Sequence, residues 1–199
     1  MPKGFTGRER DLIRKKLFSE GTRLFEQYGI QKTTVDEIAR SAGISKGSFY
    51  AFYGSKEELY FDIMENIERE IKARLFSEVF TDGQPHRESF RKFIHELFGL
   101  MDGTPLFRGL DPASIGHLIR KLPEEKLAGH MGKDYAAFED FYRDWKDRGI
   151  FKDIDVKAFV GILKLMFYLI LHKSDSTPEE FNSTRELYID MLCEYLISE

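Results

Sequence analysis

Apolar residues recur at three- and four-residue spacing along almost the whole chain, and no window of four or more residues alternates cleanly between Val, Ile or Thr and polar types. This is the periodicity of amphipathic helices, because positions i, i+3 and i+4 share one face of a 3.6-residue turn. A first stripe of Leu12, Ile13, Leu17, Leu24 and Phe25 predicts a helix over about 7–28, stopped by Gly29. Three further starts follow closely. Thr34 with Glu37 three residues on is a capping box, each side chain satisfying the other's unpaired backbone N–H, and Gly43 ends that helix. Ser45 then caps a second short helix over 46–53. Ser55 with Glu58 opens a long one over about 56–80, with the stripe Leu59, Ile63, Ile67, Ile71, Leu75 and Val79.

Behind these the pattern predicts helices near 86–101, 112–122, 124–148, 156–173 and 178–197. Asp111-Pro112 and Thr177-Pro178 are cap-then-proline starts, the second with Glu180 as a box partner, while Gly103 and Gly149 mark stops. The fold class is all-α, with about nine helices and no internal repeat. The two short helices joined by Gly43-Ile44 have the proportions of a helix-turn-helix.

Charge sharpens the picture once it is divided. Residues 1–56 carry 11 Lys and Arg against 6 Asp and Glu, and the remainder carries 19 against 28. A basic head on an acidic body favours a polyanion at one end only. The chain has one cysteine, Cys193, so no internal disulfide forms, which fits a reducing cytoplasm. The start MPKGFTGRERD lacks an apolar signal core, and the longest apolar run, 165–171, is far too short to span a bilayer, so a cytoplasmic protein with no membrane partner is expected. Enzymatic chemistry finds little support. His86, His95, His117, His130, His172 and Cys193 show no metal-ligand spacing, "GKDY" at 132–135 lacks the rest of a phosphate loop, and the acid pairs Glu124-Glu125 and Glu179-Glu180 read as helix starts favoured by the dipole. No catalytic residue, metal or cofactor is expected.

The stretch "GISKGSFYAFYGSKEEL" packs four aromatics into five residues between lysines and serines. Read as a helix, it puts Phe49 and Tyr53 on one face with Ile44, able to pack against Ile38 and the first helix. Lys46, Ser48, Tyr50, Ala51 and Phe52 then lie on other faces, with Gly47 between them allowing close backbone approach. Lys46 and Lys56 supply charge for phosphate, Thr33, Thr34 and Ser45 supply hydroxyls beside helix starts, and Tyr50 offers a ring and a hydroxyl.

The segment "TTVDEIARSAGISKGSFYAFYGSKEEL" resembles the DNA-binding domain of the TetR/AcrR family of bacterial repressors. The likeness rests on the Thr-rich start, the Ala-Gly-Ile-Ser turn, the Lys-Gly-Ser-Phe-Tyr helix and the closing Ser-Lys-Glu-Glu-Leu, over about 50 residues in all. It implies a three-helix helix-turn-helix DNA-binding domain over 1–55 and an all-helical ligand-binding and dimerisation domain over 56–199. Carried over by position, Thr33, Thr34, Tyr50 and Lys56 would grip phosphates, while Lys46, Gly47 and Ser48 would enter the major groove. Phe49 stands where the family usually has Leu, Tyr53 where it has Phe, and Ala51-Phe52 where an aromatic and a His or Tyr are frequent. A methyl and a phenyl ring donate no hydrogen bonds and read only thymine methyls or groove shape. Lys3, Arg8, Arg10 and Arg14 add a candidate basic arm.

One short recognition helix touches too few base pairs, so two copies on half-sites about 34–36 Å apart are expected. Residues 156–172 are apolar on nearly every side, and a helix of that kind is buried on every side. With the last helix it forms a candidate dimer interface, assigned to Phe159, Leu163, Phe167, Leu171, Leu187, Met191 and Tyr195. Between these helices and the fourth, Phe93, Met101, His117, Tyr135, Phe138, Tyr142 and Trp145 combine apolar bulk with polar handles, the composition of a small-molecule pocket. The whole reads as a homodimeric, ligand-responsive repressor that releases double-stranded operator DNA when a small, largely apolar or aromatic effector binds. The alternative is an effector-independent protein, or a co-repressor-dependent or activating one.

Overall fold

The computed structural model describes residues 5–78, 85–108 and 110–198. Ten α-helices lie among them: α1 (Gly7–Lys32), α2 (Val35–Ser41), α3 (Lys46–Phe49), α4 (Lys56–Glu78), α5 (His86–Gly103), α6 (Pro105–Arg108), α7 (Pro112–Lys121), α8 (Glu124–Asp147), α9 (Val156–Leu171) and α10 (Pro178–Leu196). None of the described helices is long and apolar enough to cross a membrane. The all-α class holds. Val79, at the end of the expected fourth stripe, lies outside the described residues.

The chain divides into two compact units, one reaching to Glu68 and including Gly116–Pro123, the other formed by Arg69–Ile115 and 124–199. The break between the units falls within α4 after Glu68, and Gly116–Pro123, which includes the end of α7, groups with the first unit. The reason is visible in the side chains. Leu59, Tyr60 and Ile63 of α4, with Leu118 and Leu122 of the later segment, are buried alongside Leu17, Leu24, Phe25, Ile38 and Phe49. The Phe25 and Tyr60 rings meet edge to face at 5.1 Å. Gly21 permits the close approach of α1 to α4, since a Cβ there would stand 2.8 Å from Leu59 Cδ2.

Helix ends in this unit are set by hydroxyls and carboxylates. Thr6 and Glu9 form an unanticipated capping box at α1, and Thr34 and Glu37 form the expected one at α2. Helix α1 runs past its expected stop, with non-helical backbone at Gly29 followed by one more turn to Lys32. Gly43 takes φ of 75° between α2 and α3, a left-handed conformation that a Cβ would strain.

The second unit is built on rings. Phe90, Phe93, Phe98, Phe141, Tyr142, Trp145, Phe151 and Phe159 are buried together with Ile94, Leu163, Met166, Ile189 and Leu192. Phe141 lies at the centre, 4.6 Å from the Phe76 ring and 5.3 Å from that of Phe93. An antiparallel bridge between Phe151 and Ile197, with Lys152 N–H donating to Leu196 O and Ser198 N–H to Ile150 O at 2.8 Å each, ties the loop after α8 to the end of α10. Neither α6 nor this bridge is predicted by periodicity.

Candidate nucleic-acid interface

The interface is built on α2 and α3. Thr34 accepts from Glu37 N–H at 3.3 Å and gives its own N–H and hydroxyl to Glu37 Oε2 at 2.8 and 2.7 Å, which fixes the first turn of α2 and holds the Glu37 carboxyl below its usual range. Ser45 accepts from Ser48 N–H at 3.1 Å and shares a 2.9 Å hydrogen bond between the two hydroxyls. Helix α3 is shorter than the expected 46–53. Its last residues close instead with tighter bonds, Ala51 N–H to Ser48 O at 3.1 Å and Phe52 N–H to Phe49 O at 2.9 Å, so the chain still curls through Tyr53.

This geometry divides the aromatics. Phe49 and Tyr53 are buried, while Tyr50 is 50% exposed with its ring edge-on to Phe49 at 5.5 Å. Around Tyr50 the exposed residues are Ser45, Lys46, Gly47 and Ala51, with Ser48 half-buried and Thr34 exposed on α2. Lys46 Nζ sits 2.7 Å from Asp36 Oδ2.

Three expected contacts need correction. Thr33 is 1% exposed, and its hydroxyl donates to Gly29 O at 2.9 Å, so it closes the end of α1 and is withheld from a ligand. Lys56 Nζ donates to Ile30 O and Thr33 O at 2.7 Å each, placing its charge over the last carbonyls of α1, where a cation is favoured by the helix dipole. Phe52 is half-buried beneath Phe5 at 5.8 Å and the Arg10 guanidinium at 5.0 Å, and Arg10 also donates to Ala51 O at 3.2 Å. Arg10 thus clips α1 to the end of the reading motif; the signal was its basic character, but the partner lies far along the sequence. Ser55 accepts from Glu58 N–H at 3.1 Å, whereas Glu58 Oε2 accepts from Gly54 N–H, one residue before the expected box partner.

Residues 17–63 match the sequence profile of the bacterial regulatory proteins, tetR family. The uncharacterized HTH-type transcriptional regulator YhgD of Bacillus subtilis is 33% identical over 85 residues, which cover 42% of this chain and 44% of YhgD. Over residues 17–63 the chain carries the TetR-family profile. It is matched to less than half the length of YhgD. Two solved structures share the fold across 94% of this chain, each at 18% identity. They are a TetR-family transcriptional regulator from Pectobacterium atrosepticum, with TM-score 0.69 and 94% of that chain covered, and SmeT of Stenotrophomonas maltophilia, with 0.61 and 91%.

In this chain the C-terminal pair of helices sorts its apolar residues into two sets. Phe159, Leu163 and Leu171 are buried within the second unit, which corrects their expected place on a partner-facing surface, and Phe167 is half-buried. Leu187, Met191 and Tyr195, spaced by four along α10, are 63%, 61% and 66% exposed. On α9 the exposed large apolar residues are Leu165 and Tyr168, which sequence reading passed over. Tyr188 joins the two helices by donating to Ile162 O at 2.6 Å, and burial pushes its hydroxyl pKa up to about 12.

The candidate effector residues also separate. Phe93, Tyr142 and Trp145 are core, and Met101, Tyr135 and Phe138 pack half-buried against that core. The Tyr142 hydroxyl bonds Lys152 O at 3.1 Å and Ile154 O and N at 2.9 Å, so it organises the loop before α9. His117 belongs to the first unit, where its Nε2 lies 3.4 Å from Glu57 Oε1, and the other six belong to the second. An open groove of about 390 Å³ borders Tyr142, Arg143, Lys146, Asp147, Ile154 and Val156.

Proposed function

We propose that the chain is a DNA-binding transcriptional regulator acting as a homodimer, and that it represses by occupying an operator until a small, largely apolar effector binds the second unit. The observation that carries the DNA reading is the division of α3: Phe49 anchors it in the core while Lys46, Gly47, Tyr50 and Ala51 remain exposed around it. A lysine and a tyrosine hydroxyl on a short helix with one buried face suit phosphate and major-groove contacts. Dimerisation is supported by Leu165 and Tyr168 on α9 and Leu187, Met191 and Tyr195 on α10, large apolar side chains that a second copy would cover. Repression follows the likeness in fold to SmeT, the repressor of a multidrug efflux pump.

Effector release requires a ligand that prefers a dimer whose reading helices no longer match the groove repeat. A hundredfold release needs about 2.7 kcal/mol of such preference. Met101, Tyr135 and Phe138, at the edge of the aromatic core, are the proposed contacts, with Phe93, Tyr142 and Trp145 behind them. A second reading, effector-independent binding, is favoured by the way Phe76, Phe93, Phe138 and Phe141 already fill one another's faces. Thermal-shift screening against hydrophobic compounds separates the two, because stabilisation coupled to loss of duplex binding supports the effector and silence across the panel supports the alternative.

Fluorescence anisotropy with a labelled duplex tests the DNA reading. Tyr50→Ala and Lys46→Ala should each weaken binding about tenfold with an unchanged melting temperature. Loss of folding in these variants, or undiminished binding, would contradict it.

A further inference from the structure

The first turn of α2 carries two adjacent carboxylates with different roles. Glu37 turns back onto Thr34, with its Oε2 accepting from the Thr34 N–H and hydroxyl at 2.8 and 2.7 Å. Asp36 turns the other way and meets Lys46 Nζ at 2.7 Å, both side chains remaining 53% exposed. The start of α2 is therefore complete without Asp36. Lys46 in turn is the opening residue of the recognition helix, at the end where such helices meet base edges and phosphates. The ammonium offered to DNA is already engaged by a carboxylate of the same chain, and that contact raises its pKa.

We propose that Asp36 is an intramolecular competitor of DNA for Lys46, an inference that rests on the DNA reading above. Docking at this position exchanges one anion for another instead of adding an ion pair. Each phosphate neutralised by a free cation releases counterions and steepens the fall of affinity with salt by about 0.9 in the log–log slope. A lysine whose charge Asp36 partly balances contributes only part of that gain. Asp36 thereby raises the threshold that any duplex must pass, without touching DNA itself.

Anisotropy titrations with a random-sequence duplex of about 30 base pairs, long enough for a pair of half-sites, test this at roughly 50 to 200 mM salt. Asp36→Asn should bind about threefold to tenfold tighter than wild type at the lowest salt, with a slope steeper by up to about 0.9 and an unchanged melting temperature. In a Lys46→Met background the same substitution should gain less than about twofold, because no lysine remains to be released. Glu37→Gln, an equal charge change one residue away, should lower the melting temperature and gain less than Asp36→Asn. Binding by Asp36→Asn that is unchanged or weaker would overturn the proposal, as would a gain that persists undiminished with Lys46→Met. Absence of any duplex binding by the wild type at the lowest salt would instead sink the DNA reading, and the competitor with it.

Discussion

The unit that carries α2 and α3 is fastened at helix ends, whereas the unit that carries α8, α9 and α10 is fastened through its middle. In the first, hydroxyls, carboxylates and one ammonium close individual turns: Thr34 with Glu37, Ser45 with Ser48, and Lys56 over the carbonyls of Ile30 and Thr33. Those bonds need particular atoms at particular distances, so the surface they hold has one shape. In the second, Phe141 touches Phe76, Phe93, Trp145, Phe151 and Phe159, and the hydrogen bonds of Tyr142 and Tyr188 add to that ring cluster. Ring packing tolerates substitution of similar volume far better than a cap tolerates loss of its oxygen. The difference suits the proposed roles, a reading surface that must hold its geometry and a second unit free to vary.

The largest effect should come from emptying the middle of the second unit. Phe141→Ala removes a ring with five aromatic neighbours and should cost about 3–5 kcal/mol of stability in denaturant titration. A cost no greater than that of losing a cap would break the contrast. Next, Leu187→Glu with Met191→Glu places charge on the exposed face of α10, and should give monomers in light scattering and a roughly hundredfold loss of duplex affinity, while the fold measured by circular dichroism is retained. Lys56→Met should then cost about 2 kcal/mol, because charge-assisted bonds to two helix-terminal carbonyls are lost. A variant that melts like wild type yet binds DNA poorly would return Lys56 to the phosphate-gripping role expected from its position in the motif.

The smallest effect is that of acid. The carboxyls of Glu9, Glu37 and Glu180 are held below their ordinary range by the backbone and hydroxyl donors of their capping boxes, and that of Asp111 by Ser114. A folded-state pKa lower than the unfolded one contributes stability that is present above the unfolded value, about 4.3 for Glu and 3.9 for Asp, and is lost as pH falls through the folded value. Melting temperature should therefore decline below about pH 4.5. Glu37→Gln with Glu180→Gln should flatten that decline.

The same contrast decides how much was legible beforehand. Caps at Thr34, Ser45 and Thr177 join residues three apart, so the sequence displays both partners close together. The helix starts and the resemblance over α2 and α3 were readable for that reason. Helix α6 spans four residues, too few to establish a stripe, and the pairing of Phe151 with Ile197 joins distant segments without an alternating pattern. Lys56 and Arg10 show only their charge in sequence, and their carbonyl partners emerge when the chain folds back. Helix α9 is apolar on nearly every face, so periodicity alone does not separate buried Phe159 and Leu163 from exposed Leu165 and Tyr168. Aromatic composition marked the second unit as able to take a ligand, but the same rings can serve as their own filling.

The central claim is that two copies of the α2–α3 surface, paired through α9 and α10, grip one duplex. Sedimentation velocity of the wild-type protein with a labelled duplex of about 30 base pairs measures this directly. The account predicts complexes holding two chains, or a multiple of two, and none with one. Complexes of a single chain per duplex, or none at salt near 50 mM where phosphate contacts are strongest, would contradict it.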